Sequence, residues 1–187
     1  MDAMTPKRMF FTKGVGKHKN KLQSFELALR QAGVAQCNLV SVSSIFPPEC
    51  KIITKAAGVQ ELCPGEITFV VLARESTDEP NRLISAGIGL AIPKGKKKNN
   101  YGYLSEHHAF GMTANRASDL CEDMAATMLA TTLGIEFNPD TAWNERKKLY
   151  KLGKENSIET RSIIQSAEGD KDGLCTTVVA MAVMVMD

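Results

Sequence analysis

The 187-residue chain contains 43% hydrophobic and 24% charged residues, a balance typical of a soluble globular protein whose core needs no cross-links. Its 23 basic and 21 acidic side chains leave a formal net charge of +2, which does not favour a protein that binds nucleic acid or a membrane surface. We therefore expect one domain over residues 1–187, with no nucleic-acid or membrane partner. The lysine-rich segment 94–98 is predicted to be a solvated loop without an assigned role.

Five cysteines are spaced too widely for a C-x-x-C pair or a zinc site, and they favour buried thiols in a reducing compartment. Residues 1–16 lack the apolar run of a secretory signal. The apolar segment 174–185 is too short to span a bilayer and suits a buried strand better. These features together predict a cytoplasmic protein.

The chain is predicted to begin with a short strand at residues 8–12, followed by a loop at residues 14–21 (GVGKHKNK). The GVGKHK part of this loop invites comparison with a phosphate-binding loop. It lacks the full G-x-x-x-x-G-K-[ST] spacing, and no helix follows it directly. A flexible connection is the better interpretation.

A helix is predicted over residues 22–32, because Leu22, Phe25 and Leu29 fall on one stripe at helical spacing. Gly33 follows the last residue of the pattern and is a plausible stop, since glycine commonly adopts the left-handed conformation after a helix.

The next segment, residues 38–45, alternates apolar and polar side chains and predicts a strand. It ends at Pro47-Pro48, because proline cannot donate to a β-ladder and restricts the residue before it. A strand that ends in Ser43-Ser44 and then meets two prolines is an unusual local sequence.

The remainder predicts a long helix and five strands. The helix covers residues 113–133, with Ala117, Leu120, Met124 and Met128 on one face and Gly134 as its end. The strands are predicted at residues 67–74, 84–94, 101–111, 161–169 and 174–185. Because strands and helices do not alternate regularly, the order favours an α+β fold with an antiparallel or mixed sheet over a doubly wound nucleotide-binding fold.

Two polar pairs deserve a chemical interpretation. His107 and His108 are adjacent on a predicted strand and therefore point to opposite faces, so they do not chelate one metal ion easily. Ser43 and Ser44 suggest a nucleophile, but the chain has neither a G-x-S-x-G elbow nor an evident base partner. On composition alone, two serines at a strand end indicate a hydrogen-bonded turn.

The sequence around these serines, NLVSVSSIFPPE, closely resembles the self-cleavage segment of pyruvoyl-dependent arginine decarboxylases. The resemblance extends upstream through SFELALRQAGVAQCNLV and downstream through LISAGIGLAIPK and GYLSEHHAFG. It covers residues 20–135 in recognisable order, and the tail fits more loosely. The most specific part of the resemblance is the V-S-S-I-x-P-P block, together with an asparagine five residues before the first of its two serines.

This resemblance implies that the Ser44 hydroxyl attacks the carbonyl of Ser43 and that the chain is cut into a small chain 1–43 and a large chain 44–187. Ser44 would become a covalent pyruvoyl group that takes the place of pyridoxal phosphate, with no metal. Asn38 matches the residue whose amide stabilises the oxyanion at the attacked carbonyl. The strand between Asn38 and Ser43 must bend for this amide to reach.

The implied activity is decarboxylation of L-arginine to agmatine and CO2. Glu106 matches the acidic residue that returns a proton to the α-carbon, so the pKa of its carboxyl group is expected to be raised. The substrate contacts are expected from Glu26 to the guanidinium, from Leu29 to the aliphatic part, and from Ser43. The family member compared has aspartate at the position of Glu26, which leaves the depth of the pocket open.

The resemblance also implies a four-layer αββα sandwich and a homotrimer of cleaved protomers, with active sites between neighbouring subunits. The sequence does not distinguish this trimer from a dimer of trimers, nor does it assign agmatine a physiological role.

Three alternatives stay open. A pyruvoyl enzyme could act on another amino acid, although an acidic substrate would require a cation where Glu26 lies. An uncleaved, regulatory paralogue is disfavoured because Asn38, Ser43, Ser44 and Glu106 are all present. A soluble acyl-transfer enzyme would use the Ser44 hydroxyl directly, and it would be indifferent to borohydride in the presence of arginine.

Overall fold

The computed structural model describes residues 4–94, 100–134, 136, 138, 140, 149–152 and 156–186. Within this part the elements are, in chain order, β1 Arg8–His18, α1 Lys21–Ala32, β2 Asn38–Ser41, β3 Ile45–Phe46, β4 Lys51–Ile52, α2 Lys55–Glu61, β5 Ile67–Thr77, β6 Leu83–Lys94, β7 Gly102–Phe110, α3 Ala114–Thr132, β8 Leu149–Leu152, β9 Asn156–Glu168 and β10 Cys175–Val185. Of the lysine-rich segment 94–98, only Lys94 lies among the described residues.

These strands form two sheets. Sheet A has the order β2-β5-β10-β1-β4, and sheet B has the order β3-β7-β6-β9-β8. Sheet A is mixed, because β2 runs parallel to β5 and β4 runs parallel to β1, while its central pairs are antiparallel. The pairs described in sheet B are all antiparallel.

The two sheets stack face to face, and a helix covers the outer face of each. All of β10 is buried: its even-numbered side chains from Val178 to Met184 face sheet B, and its odd-numbered ones from Val179 to Val185 face α1. On the far side, α3 packs against sheet B. The layers are therefore helix, sheet, sheet, helix, which confirms the predicted α+β sandwich.

The predicted loop at residues 14–21 is wrong for most of its length, because β1 continues to His18 and pairs with β10 throughout. The glycines that suggested a loop have a packing role instead. A Cβ atom at Gly14 would collide with the Ala28 carbonyl, and one at Gly16 would collide with the Ser24 carbonyl. Glycine at these positions lets α1 lie very close to the sheet.

Helix α1 is confirmed at its predicted place, and Gly33 ends it in the left-handed conformation with φ of 85°. The predicted apolar stripe is only partly right. The buried residues of the helix are Ser24, Ala28 and Ala32, whereas Leu22 is 74% exposed. Small side chains occupy the contact face because the glycine-bearing strand leaves little room there.

Helix α3 repeats this arrangement on the other sheet. Its fully buried residues are mainly alanines with Cys121 and Leu129, while the predicted face of Leu120, Met124 and Met128 is only half-buried. A Cβ atom at Gly89 of β6 would collide with the Cys121 carbonyl. The close approach of helix and sheet again selects small residues over large ones.

The strands predicted at 67–74, 84–94, 101–111, 161–169 and 174–185 all correspond to described strands, with differences at their ends. The prediction of one strand over residues 38–45 is wrong. Residues 38–41 belong to sheet A and residues 45–46 to sheet B, so the chain changes sheets between them. The short helix α2 was not predicted.

The prediction of buried cysteines holds for Cys121 and Cys175, whereas Cys63 is exposed. Burial raises the pKa of the Cys121 thiol to about 12, which keeps that thiol protonated and unreactive. Across the described residues, no helix combines the length and the apolar character needed to cross a bilayer.

Candidate active site

The connection between β2 and β3 carries the chain from one sheet to the other in three residues. At its start, the Val42 N–H donates to the Val70 carbonyl of β5 at 2.9 Å. At its end, the Leu104 N–H of β7 donates to the Ser44 carbonyl at 2.7 Å. The Ser43–Ser44 peptide is therefore held at both ends by strands of different sheets.

A tight turn centres on Ser44. The Ile45 N–H donates to the Ser43 carbonyl at 3.0 Å, which closes a three-residue turn. Phe46 and Pro47, which follow, are buried and fix the exit of the turn, whereas Ser43 is exposed. The carbonyl that the resemblance names as the point of attack thus already accepts a backbone hydrogen bond.

A cavity of about 580 Å³ lies at the edge of sheet A. It brings together three residues predicted for the site, Leu29, Asn38 and Glu106. The rest of its lining comes from α1, the β2 region, β5 and β7, and consists of Phe25, Cys37, Leu39, Ser41, Leu72, Arg74 and His108. Residues far apart in sequence therefore converge on one space, and Ser41 is the lining residue nearest in sequence to the serine pair, which does not itself line the cavity.

Glu106 lies on the face of β7 that points toward sheet A. Side chains alternate along a strand, and Leu104 belongs to the core between the sheets while the Ser105 hydroxyl donates to the Cys121 carbonyl of α3. His108 shares the face of Glu106. Partial burial raises the pKa of the Glu106 carboxyl group, and the charge of His108 opposes this rise.

His107 points the other way, toward α3, as the alternation predicts. Its Nε2 atom is buried and has no hydrogen-bond partner among the described residues. Burial lowers the pKa of the imidazole, and the neighbouring His108 lowers it further. The described residues contain no group of three or more His, Cys, Asp or Glu side chains that could hold a metal ion.

Asn38 lies at the far end of β2 from the serine pair. Its Nδ2 atom donates to the Gly65 carbonyl at 2.8 Å. Five residues of extended chain span roughly 16 Å, so in this conformation the amide does not reach the Ser43 carbonyl. The donor that the structure places on that carbonyl is the Ile45 N–H, which sequence reasoning did not identify.

Glu26 lines a neighbouring hollow of about 470 Å³ on the other side of α1, not the cavity that contains Glu106. Its carboxylate forms an ion pair with Arg30, one helical turn further on. A substrate guanidinium would have to displace this internal guanidinium to reach Glu26.

Sequence reasoning did not assign a role to two ionisable residues that line the cavity, Arg74 and His108. Arg74 ends the apolar run ITFVVLAR, and its guanidinium lies 4.6 Å above the ring of Phe25. His108 was interpreted only as an ordinary polar position near a site. The sequence contains a signal for each. Arg74 is a charge at the end of an apolar strand, and His108 lies two residues after Glu106 and therefore faces the same way.

Comparison with known proteins identifies the family of the chain. The sequence profile of the family described as pyruvoyl-dependent arginine decarboxylase matches residues 8–187. A probable pyruvoyl-dependent arginine decarboxylase of Chloroherpeton thalassium is 55% identical over 180 residues, covering 96% of this chain and 97% of the relative. Pyruvoyl-dependent arginine decarboxylase 2 of Methanosarcina acetivorans is 54% identical over 182 residues, covering 97% and 98%.

A third relative, the pyruvoyl-dependent arginine decarboxylase of Methanococcoides burtonii, is 51% identical over 183 residues, which cover 98% of this chain and all of the relative. Matches of this identity and coverage span both sheets and every residue of the cavity. The chain belongs to the pyruvoyl-dependent arginine decarboxylase family.

Proposed function

We propose that this chain cuts itself between Ser43 and Ser44 and that the processed protein decarboxylates L-arginine to agmatine and CO2. The observation that carries the proposal is the turn at Ser44, in which the carbonyl of the exposed residue Ser43 accepts from the Ile45 N–H and the chain is held between two sheets. The products of the cut are a small chain 1–43 and a large chain 44–187.

The first step is an attack of the Ser44 Oγ atom on the carbonyl carbon of Ser43. A C–O bond forms, the C–N bond of the peptide breaks, and the proton of the hydroxyl passes to the freed Ser44 nitrogen, leaving an ester. Negative charge develops on the Ser43 oxygen during the attack, and the Ile45 N–H is already directed at it. The paired flanks of the turn keep the two serines together.

Elimination then breaks the bond between Cβ and Oγ of Ser44. The proton on the Ser44 α-carbon is lost, the Ser43 carboxylate leaves as the new C-terminus of the small chain, and a dehydroalanine remains at position 44. Addition of water and loss of ammonia convert this residue to a pyruvoyl group. These steps use only the chain and water, so no pyridoxal phosphate and no metal ion are part of the proposal.

Asn38 is proposed as a second donor to the Ser43 oxygen. Its amide would first leave the Gly65 carbonyl, and residues 39–42 would bend toward the turn. A side-chain donor to an oxyanion typically contributes about 2.7–4 kcal/mol to the stability of the transition state. Asn38 is exposed, so its amide need not lose its hydrogen bonding while it moves from the Gly65 carbonyl to the Ser43 oxygen.

The pyruvoyl carbonyl supplies the electron-accepting group that decarboxylation of an amino acid requires. The fit of position 44 to this role rests on the Leu104 N–H, whose bond to the Ser44 carbonyl keeps that residue beside β7 after the cut. Glu106 lies two residues after Leu104 on β7 and lines the cavity that contains Leu29. Its raised pKa favours the protonated carboxyl group that must return a proton to the α-carbon.

Substrate selection is proposed to involve Leu29 against the aliphatic chain of arginine and Ser43 as the new C-terminus near the reacting carbon. Glu26 is proposed for the guanidinium, in competition with Arg30. The substrate guanidinium can displace Arg30 because the existing pair is exposed, and exposed ion pairs contribute only about 0–1 kcal/mol.

The protein is further proposed to be cytoplasmic and to assemble as a homotrimer or a dimer of trimers. Exposed apolar side chains occur on β2, β3 and β5, with Val40 at 41%, Ile45 at 40% and Ile67 at 64% exposure. Exposed apolar groups on an edge strand such as β2 favour contact with another subunit. Native mass spectrometry of the processed protein measures the number of small and large chains directly.

The activity test incubates purified protein with L-arginine and measures agmatine and CO2. We expect both in equal amounts, and we expect borohydride added together with arginine to abolish the activity. Glu106→Gln should still be cut but should lose most of the decarboxylation. Release of a different amine, or an activity indifferent to borohydride, would contradict the proposal.

A further inference from the structure

The guanidinium of Arg74 is a charged group of the cavity that the reaction described above does not use. It projects from β5 into the space that Glu106 and His108 also line. Its carbon atom Cζ lies 4.6 Å from the centroid of the Phe25 ring. Stacking on an aromatic face fixes the plane of a guanidinium while leaving its N–H edge free to bind.

A second arginine in the chain shows what is different about this one. Arg82 also stacks on a phenylalanine, with its Cζ atom 5.2 Å from the centroid of Phe110, but it additionally lies 3.8 Å from the Glu79 carboxylate. No carboxylate of the described residues lies within ion-pair distance of Arg74. Arg74 therefore presents an oriented cation to the cavity without an ion-pair partner among the described residues.

The substrate brings the matching charge. Free arginine has a guanidinium, an α-amino group and an α-carboxylate. The proposed function uses the guanidinium at Glu26 and the α-amino group at position 44, which leaves the carboxylate as the unassigned group. A planar guanidinium is the side chain best suited to bind a carboxylate through two parallel hydrogen bonds.

We propose that Arg74 binds the α-carboxylate of the substrate and thereby distinguishes arginine from its decarboxylated product. The inference rests on the proposed position of the active site beside Ser44. Arg74 acts on the ground state, because the carboxylate it holds is the group that departs as neutral CO2. Its loss should therefore weaken substrate binding more than it slows the chemical step.

The product provides the decisive comparison. Agmatine keeps the guanidinium and the amino group of arginine but has no carboxylate, so Arg74 should contribute nothing to its binding. We expect Arg74→Met to raise the KM for arginine about tenfold, the effect of removing one charged hydrogen-bonding partner. The inhibition constant of agmatine should change less than twofold, and kcat should stay within about threefold.

The matched control is Arg82→Met, which removes a stacked arginine of the same kind outside the cavity and should leave both constants unchanged. Arg74→Lys, which keeps the charge but loses the planar pair of donors, should give an intermediate KM. Arg74→Gln serves as a second neutral variant if Arg74→Met folds poorly. All variants are assayed as protein that a denaturing gel shows to be cut.

A rise in the agmatine constant that parallels the rise in KM would overturn the proposal, because it would indicate general damage to the cavity. An unchanged KM in both neutral variants would overturn it as well. Failure of the proposed function would look different, since wild-type protein would then remain uncut or form no agmatine.

Discussion

The chain passes between the two sheets at several places, and two of these junctions contrast. At one, the β5–β6 and β9–β10 connections bond to each other: Asn81 N–H donates to the Gly169 carbonyl at 3.1 Å, and Gly169 N–H donates to the Arg82 carbonyl at 2.8 Å. At the other, only Val42, Ser43 and Ser44 connect β2 to β3. The first junction is a closed turn structure, whereas the second is a short bridge held at its two ends.

The residues at each junction explain this contrast. The first uses Asn81 and Gly173 in the left-handed conformation, with φ of 60° and 77°, so that the chain can turn without exposing unpaired backbone groups. The second has no glycine, and it turns at a serine where the Ile45 N–H donates to the carbonyl of the exposed residue Ser43.

The largest effect is expected from Ser44→Ala at the reactive junction. Without the hydroxyl neither the ester nor the pyruvoyl group can form, so the chain should stay whole and activity should fall by about 10⁴-fold or more. The control is Ser76→Ala near the closed junction, whose hydroxyl bonds to Thr177 Oγ1 at 3.0 Å. Ser76→Ala should be cut normally, and cutting of Ser44→Ala on a denaturing gel would contradict the account.

Asn38→Ala should have the next largest effect. If its amide moves from Gly65 to the Ser43 oxygen during the attack, removing it should slow the cut by about 10²-fold, as measured by a time course of freshly made protein. Gln36→Ala is the matched control, since that amide also bonds to a backbone carbonyl, that of Leu62, at 3.0 Å. Equal cutting rates in the two variants would leave the Ile45 N–H as the principal donor and would remove Asn38 from the mechanism.

Gly169→Ala tests the closed junction. A Cβ atom there would collide with the Glu79 carbonyl, and the free energy of unfolding should fall by about 2 kcal/mol. In Gly173→Ala the new Cβ atom has no neighbour closer than 4.0 Å, but φ is positive, so the free energy of unfolding should fall by about 1 kcal/mol. Urea unfolding measures both, and in each variant the extent of the cut should be unchanged because the reactive junction is untouched.

The smallest effect is expected on the pH dependence of kcat, through Glu106 and His108 of β7. Glu106 must be protonated to act as a donor, so activity should fall as pH rises through its raised pKa. His108→Gln removes the positive charge that lowers this pKa, so the alkaline limb of the kcat profile should move up by about half a pH unit. His107→Gln, on the opposite face of β7, should leave the limb in place, and an equal movement in both variants would refute the electrostatic explanation.

Sequence reasoning predicted the fold well where the apolar pattern is strong, as in β6, whose apolar residues recur at spacing two, and in β10, whose continuous apolar run indicates a buried strand. It failed at β1, because Gly14 and Gly16 suggest a loop unless the helix that needs their small size is known. It placed Leu22 in the core for the same reason. Which small residues form the contact face depends on how closely two elements approach, and that distance is a property of the folded structure.

The site shows the same division. The serine pair, Glu106 and Leu29 were identified by resemblance, and the structure brings Leu29 and Glu106 to one cavity. The break between β2 and β3, the Ile45 donor and the position of Arg74 were not predicted. Each depends on which residues of separate elements become neighbours, which no local pattern in one strand reports.

The central claim is most directly tested by intact mass spectrometry of freshly purified wild-type protein. The account predicts two chains, one ending at Ser43 and one beginning at position 44 with a blocked N-terminus whose carbonyl reacts with a hydrazine reagent. A single unbroken chain in well-folded protein, with no reactive carbonyl, would contradict it.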